Sequence, residues 1–408
     1  MRPARAPRTT RRFGRAAAVL VALPLSLATL AAPAVAQGPS TDRAATGGGS
    51  VAEHRRPGHG HGPGADTLRG SAPRDFKIGT AVAGGGHHEE QDYADPFAYD
   101  VEYREVMARE FSSLSAENQM KWEYIHPSRD FYNFYPADAI VRYAKENKQV
   151  VRGHTLLWHS QNPQWLIDAE PTLSDAELEG ILKEHIQTVV GRYKGQIQQW
   201  DVANEIFLET GELRTEENLW IRRLGEGIIA KAFRWAHEAD PEAKLFFNDY
   251  GVESINPKSD AYYELIKELK AQGVPVDGFA PQSHLSTDYG FPTDLKQNLQ
   301  RFADLGLETA ITELDVRITF EDGQTEPTPA QEAQQADYYQ QALEACLGVK
   351  TCKSFTIWGF TDKYSWVPVF FEGQGSATVM TGDYERKPAY SALQDTLREA
   401  RGSGRGWR

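Results

Sequence analysis

Two glutamates, Glu205 and Glu313, stand 108 positions apart, each where a short apolar segment ends. Asn204 lies beside the first, and Asp315 follows two positions after the second. A pair of carboxyl groups is what cleavage of a glycosidic bond requires. One protonates the departing sugar oxygen, while the other attacks or stabilises an oxocarbenium-like carbon. Because Glu is a common residue, the elements around the pair must decide whether the two side chains meet.

Short apolar segments recur along the chain with longer amphipathic stretches between them. The starts of these segments lie 31 to 47 residues apart, which leaves room for a strand, a loop and a helix each time. This rhythm predicts an α/β fold, a closed parallel (β/α)8 TIM barrel with a single catalytic domain. Helices are predicted over 174–193, after a Ser cap, and over 328–347. The predicted strands are 76–81, 111–116, 150–153, 197–202, 244–247, 278–281, 309–312 and 354–357.

Polar or aromatic side chains follow nearly every predicted strand. In such a barrel the carboxyl ends of the strands converge on one rim, so these groups are expected to surround a single cleft. Each of them taken alone is more often a cap or a solvated surface group. The residues are Glu117, Asn118, His154, Asn204, Glu205, Asn248, Asp249, Gln282, His284, Glu313, Asp315 and Trp358.

The ends of the 408-residue chain differ in composition from its centre. Residues 1–36 combine arginines, an apolar stretch and a small-residue cleavage pattern, which predicts a signal peptide removed before Gln37 and a secreted, extracellular protein. The pair Arg11 and Arg12 leaves Sec and twin-arginine export both open. Residues 37–74 are rich in Gly, Pro and His and are predicted to be disordered, as are residues 401–408. The catalytic domain is assigned to residues 75–400.

Charge and cysteine content narrow the function further. The formal charge is −13, and loss of six arginines with the leader makes it −19, which disfavours nucleic acid and anionic membranes as partners and suits an uncharged substrate. Cys346 and Cys352 are expected to form a disulfide in an oxidising exterior, with two buried free thiols as the alternative. The histidine-containing stretches at 59–61 and 87–90 favour flexible polar sequence over a metal site, so no metal is predicted.

Several motifs together resemble glycoside hydrolase family 10. They occur in the order and spacing of that family between about residues 76 and 390. The resemblance implies a secreted endo-β-1,4-xylanase on an eightfold α/β barrel that retains anomeric configuration and needs no cofactor. The motifs are ENQMKW (117–122), RGHTLLWHSQNPQW (152–165), WDVANE (200–205), NDY (248–250), QSH (282–284), TELDV (312–316) and WGFTDKYSW (358–366).

The resemblance also implies roles for individual residues. Glu205, after the fourth strand, corresponds to the general acid/base, and Glu313, ending the seventh, to the nucleophile. His284 and Asp315 are expected to support Glu313, and Asn204 to bind the sugar 2-hydroxyl. Retention requires carboxyl groups roughly 5 Å apart. The expected substrate-binding residues are Glu117, Asn118, Lys121, His154, Trp158, Gln282, Trp358, Trp366 and Tyr250, the last as a donor to the catalytic carboxylates.

The expected partners are xylan and xylo-oligosaccharides, bound by a monomer. Two alternatives remain open: broader action on β-glucans or aryl cellobiosides, which hydrolysis of xylan compared with carboxymethyl-cellulose would distinguish, and a non-catalytic sugar-binding barrel, which the intact carboxylate pair disfavours. Residues 84–99 and 367–379 depart from the usual form of the family, so the resemblance does not fix the reach of the cleft.

Overall fold

The structure, a computed structural model, describes residue 64 and residues 66–84 and 94–402. The predicted signal peptide, residues 37–63 and the histidine-containing stretches at 59–61 and 87–90 lie outside the described residues. The strands are β1 (Lys77–Val82), β2 (Ser113–Ala116), β3 (Val150–Gly153), β4 (Gln199–Asn204), β5 (Lys244–Asp249), β6 (Gly278–Pro281), β7 (His284–Ser286), β8 (Glu308–Thr319), β9 (Cys352–Ile357) and β10 (Gln374–Gly375).

The helices fill the intervals between these strands. Short 3₁₀ turns at Glu170–Thr172 and Asp362–Tyr364 add to them. The helices are α1 (Leu68–Ser71), α2 (Pro96–Tyr99), α3 (Val101–Glu110), α4 (Trp122–Ile125), α5 (Tyr135–Glu146), α6 (Gln164–Ala169), α7 (Asp175–Arg192), α8 (Leu219–Leu224), α9 (Gly227–Ala239), α10 (Pro257–Ala271), α11 (Leu295–Asp304), α12 (Pro329–Leu347), α13 (Val367–Phe370) and α14 (Pro388–Gly402).

Eight of the strands close a parallel barrel. Pairing runs in chain order from β1 to β6, continues from β6 to β8 and β9, and returns from β9 to β1. This confirms the predicted (β/α)8 fold. All eight predicted strands exist, with bounds that differ by at most two residues except at the end of the seventh barrel strand, β8.

The strand β8 is longer than its sequence pattern predicts and continues well past Glu313. The extra length exists because Asp315 to Arg317 pair in parallel with β7, and Ile318 and Thr319 pair with β10. Glu313 therefore lies within a strand held on both sides rather than at a loose strand end. This second layer of pairing rises above the barrel at its carboxyl end and fixes Glu313 and Asp315 on one rigid element.

Local sequence explains where the long helices begin. Ser174 caps α7 and Glu177 returns the contact in a capping box, and Thr328 does the same for α12 with Gln331. Inside the barrel, Gly153 at the end of β3 lies against the buried ring of Trp200, where an added Cβ would approach within 2.2 Å. Only glycine allows this approach, and it places the following residue at the rim.

The structure corrects the predicted limits of order at both ends. The helix α1 lies inside the segment predicted to be disordered up to residue 74. It is held because Leu68 is buried and its N–H donates to the Glu110 carboxylate at 3.1 Å. At the other end α14 extends to Gly402, beyond the predicted boundary at 400. The last two helical residues, 401 and 402, remain exposed.

The two cysteines form the predicted disulfide, which joins the end of α12 to the start of β9 with Cα atoms 5.4 Å apart. The alternative of two free thiols is therefore wrong. None of the helices in the described ranges has both the length and the apolar character to cross a bilayer.

Candidate active site

Glu205 follows directly after β4, at the carboxyl end of the barrel. Its φ of 54° lies in the left-handed region that non-glycine residues rarely occupy, and such strain persists where the surroundings over-determine it. Its backbone N–H donates to the carbonyl of Asn248 at 3.0 Å, and its carbonyl accepts from Arg214 Nε at 3.1 Å. These contacts turn the side chain into the cleft, where 12% of it is exposed.

Three uncharged donors hold the carboxyl group of Glu205. Trp158 Nε1 donates to Oε2 at 2.9 Å, while Gln282 Nε2 and Asn204 Nδ2 donate to Oε1 at 2.9 and 3.2 Å. His159 lies near Oε2 at 3.7 Å, and burial lowers its pKa although the Glu205 charge opposes this. The carboxyl group is thus fixed by neutral N–H groups.

Glu313 lies on β8 and is almost completely buried. Asn248 Nδ2 donates to its Oε1 at 2.7 Å, and His284 Nε2 lies 3.3 Å from its Oε2. His154 Nδ1 lies 3.8 Å from Oε1. Burial raises the pKa of Glu313, but the charges of His154 and His284 and the hydrogen bonds outweigh it and lower the pKa to about 2. Glu313 is therefore ionised at neutral pH.

His284 connects Glu313 to Asp315. Its Nδ1 lies 2.9 Å from Asp315 Oδ2, to which Trp366 Nε1 also donates at 2.8 Å. Burial lowers the pKa of His284, but Asp315 and Glu313 outweigh it and raise the pKa to about 10. A protonated His284 donates to both carboxylates, which fixes the rotamer and the charge of Glu313.

A continuous chain of hydrogen bonds joins the two glutamates. From Glu205 it passes to Asn204 Nδ2, and Asn204 Oδ1 accepts from Asn248 Nδ2 at 2.9 Å. The same Nδ2 donates to Glu313. Gln282 adds a second link, because its side chain donates to Glu205 while its carbonyl accepts from Glu313 N–H at 2.9 Å. The predicted meeting of the two carboxyl groups at one barrel mouth is therefore present.

These groups face one large cleft of about 1000 Å³, at the upper end of the usual range for ligand sites. Two predicted residues, Asn204 and Asp315, lie behind its wall and contact the carboxylates or their partners from below. The predicted site residues that line the cleft are Glu117, Asn118, Lys121, His154, Trp158, Glu205, Tyr250, Gln282, His284, Glu313, Trp358 and Trp366.

One side of the cleft carries a buried lysine. Lys121 Nζ donates to Asn118 Oδ1 at 3.1 Å and lies 4.9 Å from the centre of the Trp158 ring. Burial lowers its pKa, against the opposing charges of Glu313, Glu117 and Glu205. Fixed donors beside an aromatic face suit the hydroxyl groups and the apolar face of a sugar.

Tyr250 lines the cleft but does not make the predicted contact with the catalytic carboxylates. Its hydroxyl accepts from Arg214 Nη2 at 2.9 Å, and no hydrogen bond to Glu205 or Glu313 occurs in the described part of the chain. The loop after β4 brings the guanidinium of Arg214 into contact with the Tyr250 hydroxyl, and the same guanidinium donates to the carbonyl of Glu205.

Three supporting residues received no role from the sequence. Asn248 contacts both Asn204 and Glu313, and its place after a predicted strand was the available signal. Asp201 accepts from Arg152 and lies 3.0 Å from His154 Nδ1, so it orients the histidine. Glu253 accepts from the N–H of Ser283 at 2.9 Å, a contact between distant loops that no local pattern reveals.

Within residues 66–84 and 94–402, no group of three or more His, Cys, Asp or Glu side chains is placed to hold a metal ion. The groups that form the site are carboxyl groups, their hydrogen-bond donors and aromatic rings.

A closed parallel barrel with two carboxyl groups opposed across its carboxyl-end cleft defines a barrel glycoside hydrolase. The sequence model of the family described as "Glycosyl hydrolase family 10" matches residues 67–396. "Endo-1,4-beta-xylanase B" of Thermotoga neapolitana is 43% identical over 297 residues, 73% of this chain and 84% of that protein. The chain belongs to glycoside hydrolase family 10.

Solved structures agree with this assignment. Native xylanase 10B from Thermotoga maritima superposes with a TM-score of 0.76 at 42% identity, covering 83% of this chain and 99% of that chain. Xylanase 10B from Thermotoga petrophila, solved in complex with xylobiose, gives a TM-score of 0.75 at 42% identity, covering 84% and 99%.

Proposed function

We propose that the chain is a secreted, retaining endo-1,4-β-xylanase that cuts internal β-1,4 bonds of xylan by double displacement. The observation that carries the proposal is the linked pair of carboxyl groups: Glu313 is held by the His284 cation and the Asn248 amide, and Glu205 by neutral donors alone. The names of the family relatives support xylan as the substrate. The apolar leader before Gln37 supports export.

In the first step, ionised Glu313 attacks the anomeric carbon while Glu205 protonates the departing glycosidic oxygen. The lowered pKa of Glu313, to about 2, supplies the anionic nucleophile over the whole neutral range. Three donors orient the Glu205 carboxyl group before the substrate arrives, which reduces the reorganisation needed in the transition state. Carboxyl groups separated by about 5 Å would place both on the same sugar.

In the second step, water hydrolyses the glycosyl-enzyme. Glu313 has then lost its negative charge to an ester, so deprotonation of Glu205 is easier and it acts as the base toward water. His284, still paired with Asp315, remains beside the leaving carboxylate. Return of the negative charge to Glu313 restores the ion pair with His284, which favours release of the sugar from the enzyme.

The aromatic and polar walls bind the sugars around the cleaved bond. Trp158 and Trp358 offer flat apolar faces, and Lys121, Asn118 and Glu117 offer fixed donors and acceptors. Gln282 lines the cleft beside the reacting centre, where a hydrogen bond to the 2-hydroxyl strengthens in the transition state, and Asn204 supports Glu205 from behind the cleft wall.

Changing Glu313 to Gln tests the nucleophile. Turnover of xylohexaose should fall by several orders of magnitude while melting temperature and oligosaccharide binding persist. The control is Glu242→Gln, an exposed glutamate that precedes β5 at the opposite end of the barrel, which should behave as wild type. Near-normal turnover by Glu313→Gln would remove Glu313 from the mechanism.

Changing Glu205 to Ala tests the acid/base and the stereochemistry. Aryl xylobiosides with good leaving groups should still form the glycosyl-enzyme, and added azide should release a β-linked glycosyl azide. An α-linked azide would contradict retention. Xylan compared with carboxymethyl-cellulose tests the substrate, since preferential hydrolysis of the cellulose derivative would refute the xylanase assignment.

A further inference from the structure

Arg317 is a cation of the cleft wall that the proposed mechanism does not use. It lies on β8, four residues after Glu313, and lines the cleft together with Tyr289, Phe370 and Phe371. Among the described residues that line this cleft, Lys121 and Arg317 are the only lysine and arginine side chains. Lys121 is already committed to Asn118 and Trp158 on the other side.

The guanidinium of Arg317 is held by contacts that leave its charge unneutralised. Its Nη1 donates to the carbonyls of His284 and Leu285, each at 3.3 Å, and its Cζ lies 4.2 Å from the centre of the Phe371 ring. Within the described residues no carboxylate lies within 4.0 Å of it. Within the described part of the chain its Nε is buried without a hydrogen-bond partner and its Nη2 makes no hydrogen bond, and the side chain lines the cleft.

Apart from Lys121, Arg317 and the histidines, the ionisable acids and bases among the described residues that line the cleft are glutamates and tyrosines. On the wall formed by the loop after β4, Glu209 is paired with Lys258 Nζ at 3.0 Å, whereas Arg317 has no carboxylate partner among the described residues, so an anion is attracted to Arg317. Asp288, in the loop after β7, accepts from Thr319 Oγ1 at 2.5 Å. The field across the cleft therefore favours a negative group at the Arg317 wall.

Aromatic surface around Arg317 adds room for a sugar ring. Tyr289 is 69% exposed and Phe370 is 47% exposed, unusual values for large apolar side chains. Exposed aromatic rings beside a cation suit a ligand that has both an apolar sugar face and a carboxylate. Because the carbonyl that anchors Arg317 belongs to His284, which contacts Glu313, this wall lies next to the reacting centre.

We propose that Arg317, with Phe371 and Tyr289, forms a binding site for a uronic acid branch of the xylan chain. The inference rests on the xylanase function proposed above and extends it to the class of substrate. The carboxylate accepts a charge-assisted hydrogen bond from Nη2, and the branch ring lies on the aromatic surface. A neutral pentose branch gains no such bond, so the site selects acidic over neutral decoration.

The test compares glucuronoxylan with the same polymer after its carboxyl groups are reduced to primary alcohols, which keeps branch size and removes charge. Wild-type kcat/KM should be roughly tenfold higher on the acidic polymer, the size expected of one charge-assisted hydrogen bond. Arg317→Met should bring the ratio of the two values close to one. A wild-type ratio of one, or an unchanged ratio in the variant, would overturn the inference.

A matched control separates ligand binding from loss of a structural arginine. Arg104 also donates to two backbone carbonyls, those of Phe97 and Ala98, but does not line the cleft. Arg104→Met should keep the wild-type ratio. A fall equal to that of Arg317→Met would show that the ratio reports general damage, and the inference would be wrong.

Two further measurements keep the inference testable if Arg317→Met does not fold. In the wild type, added NaCl should lower the ratio, because partly exposed charges are screened. A salt-independent ratio contradicts the inference. Linear xylohexaose tests the proposed function separately: inactivity toward it would overturn both proposals, whereas activity together with a ratio of one would overturn only the assignment of Arg317.

Discussion

Replacing His284 by Ala should move the acid limb of kcat/KM to higher pH. The pKa of Glu313 is lowered from an ordinary 4.5 to about 2 although burial opposes ionisation. That difference corresponds to roughly 3 kcal/mol in favour of the carboxylate. His284 contributes to it through both its charge and its hydrogen bond. In His284→Ala, burial still raises the pKa of Glu313, while the charge and the hydrogen bond of His284 that lower this pKa are lost.

The direction of the shift follows from the sign of the charges. Glu313 must be ionised to attack, so activity is present above its pKa and is lost as pH falls through that value. In the wild type the loss belongs near pH 2, since the pKa is about 2. Without the His284 cation the pKa of Glu313 rises, and the acid limb should move up by about one pH unit or more.

The assay is kcat/KM on an aryl xylobioside with a good leaving group, measured from acid to neutral pH with melting temperature as a check of folding. His159→Ala is the control, because His159 lies 3.7 Å from Glu205 and makes no hydrogen bond or ion pair with Glu313 among the described residues. It should leave the acid limb in place. An acid limb in His284→Ala that stays at the wild-type pH, or moves lower, would refute the electrostatic role of this histidine.

Three further predictions concern support of the site and the fold. Glu253→Ala removes the acceptor of the Ser283 N–H, and Ser283, with a φ of 69°, joins Gln282 to His284. This change should lower kcat by a larger factor than it raises KM, and Glu253→Gln should partly restore kcat. Changes of equal factor in kcat and KM would contradict this. Replacing both cysteines by Ala should cost about 2 kcal/mol of unfolding free energy, measured by denaturant, without changing kcat. Gly153→Ala should destabilise by about 1–3 kcal/mol, seen as a lower melting temperature, since a Cβ would meet the Trp200 ring; an unchanged melting temperature would be inconsistent with this packing.

Much of the fold was predictable because strand and helix periodicity is local. The eight barrel strands and the capped starts of α7 and α12 follow from apolar segments and from Ser174 and Thr328. The strands β7 and β10 were missed, because His284–Ser286 and Gln374–Gly375 are too short to carry a pattern of their own. They exist through pairing with β8, a tertiary effect that also carries this strand past its predicted end.

The site residues that could be predicted from the sequence are those that belong to recognisable motifs. Glu205, Glu313 and His284 lie together in the cleft as their motifs imply. Residues that act through another side chain were not predictable, because their partners lie far away in sequence. Asp201 is 47 positions from His154, and Glu253 is 30 positions from Ser283. Nothing in their local sequence distinguishes them from ordinary surface or core acids.

The surroundings of the two glutamates at the barrel mouth differ in a way that suits the two tasks proposed for them. Glu313 lies on β8, with His154 near one carboxylate oxygen and His284 near the other. Its negative charge is balanced by protonated His284, and Asp315 raises the pKa of that histidine. Glu205 follows a strand end and meets the amides of Asn204 and Gln282 and the indole of Trp158, none of which carries charge. Burial lowers the pKa of His159, so the nearest histidine adds little positive charge. Neutral N–H donors hold the rotamer of the carboxyl group without requiring that it be ionised, which is what an acid that must later become a base needs.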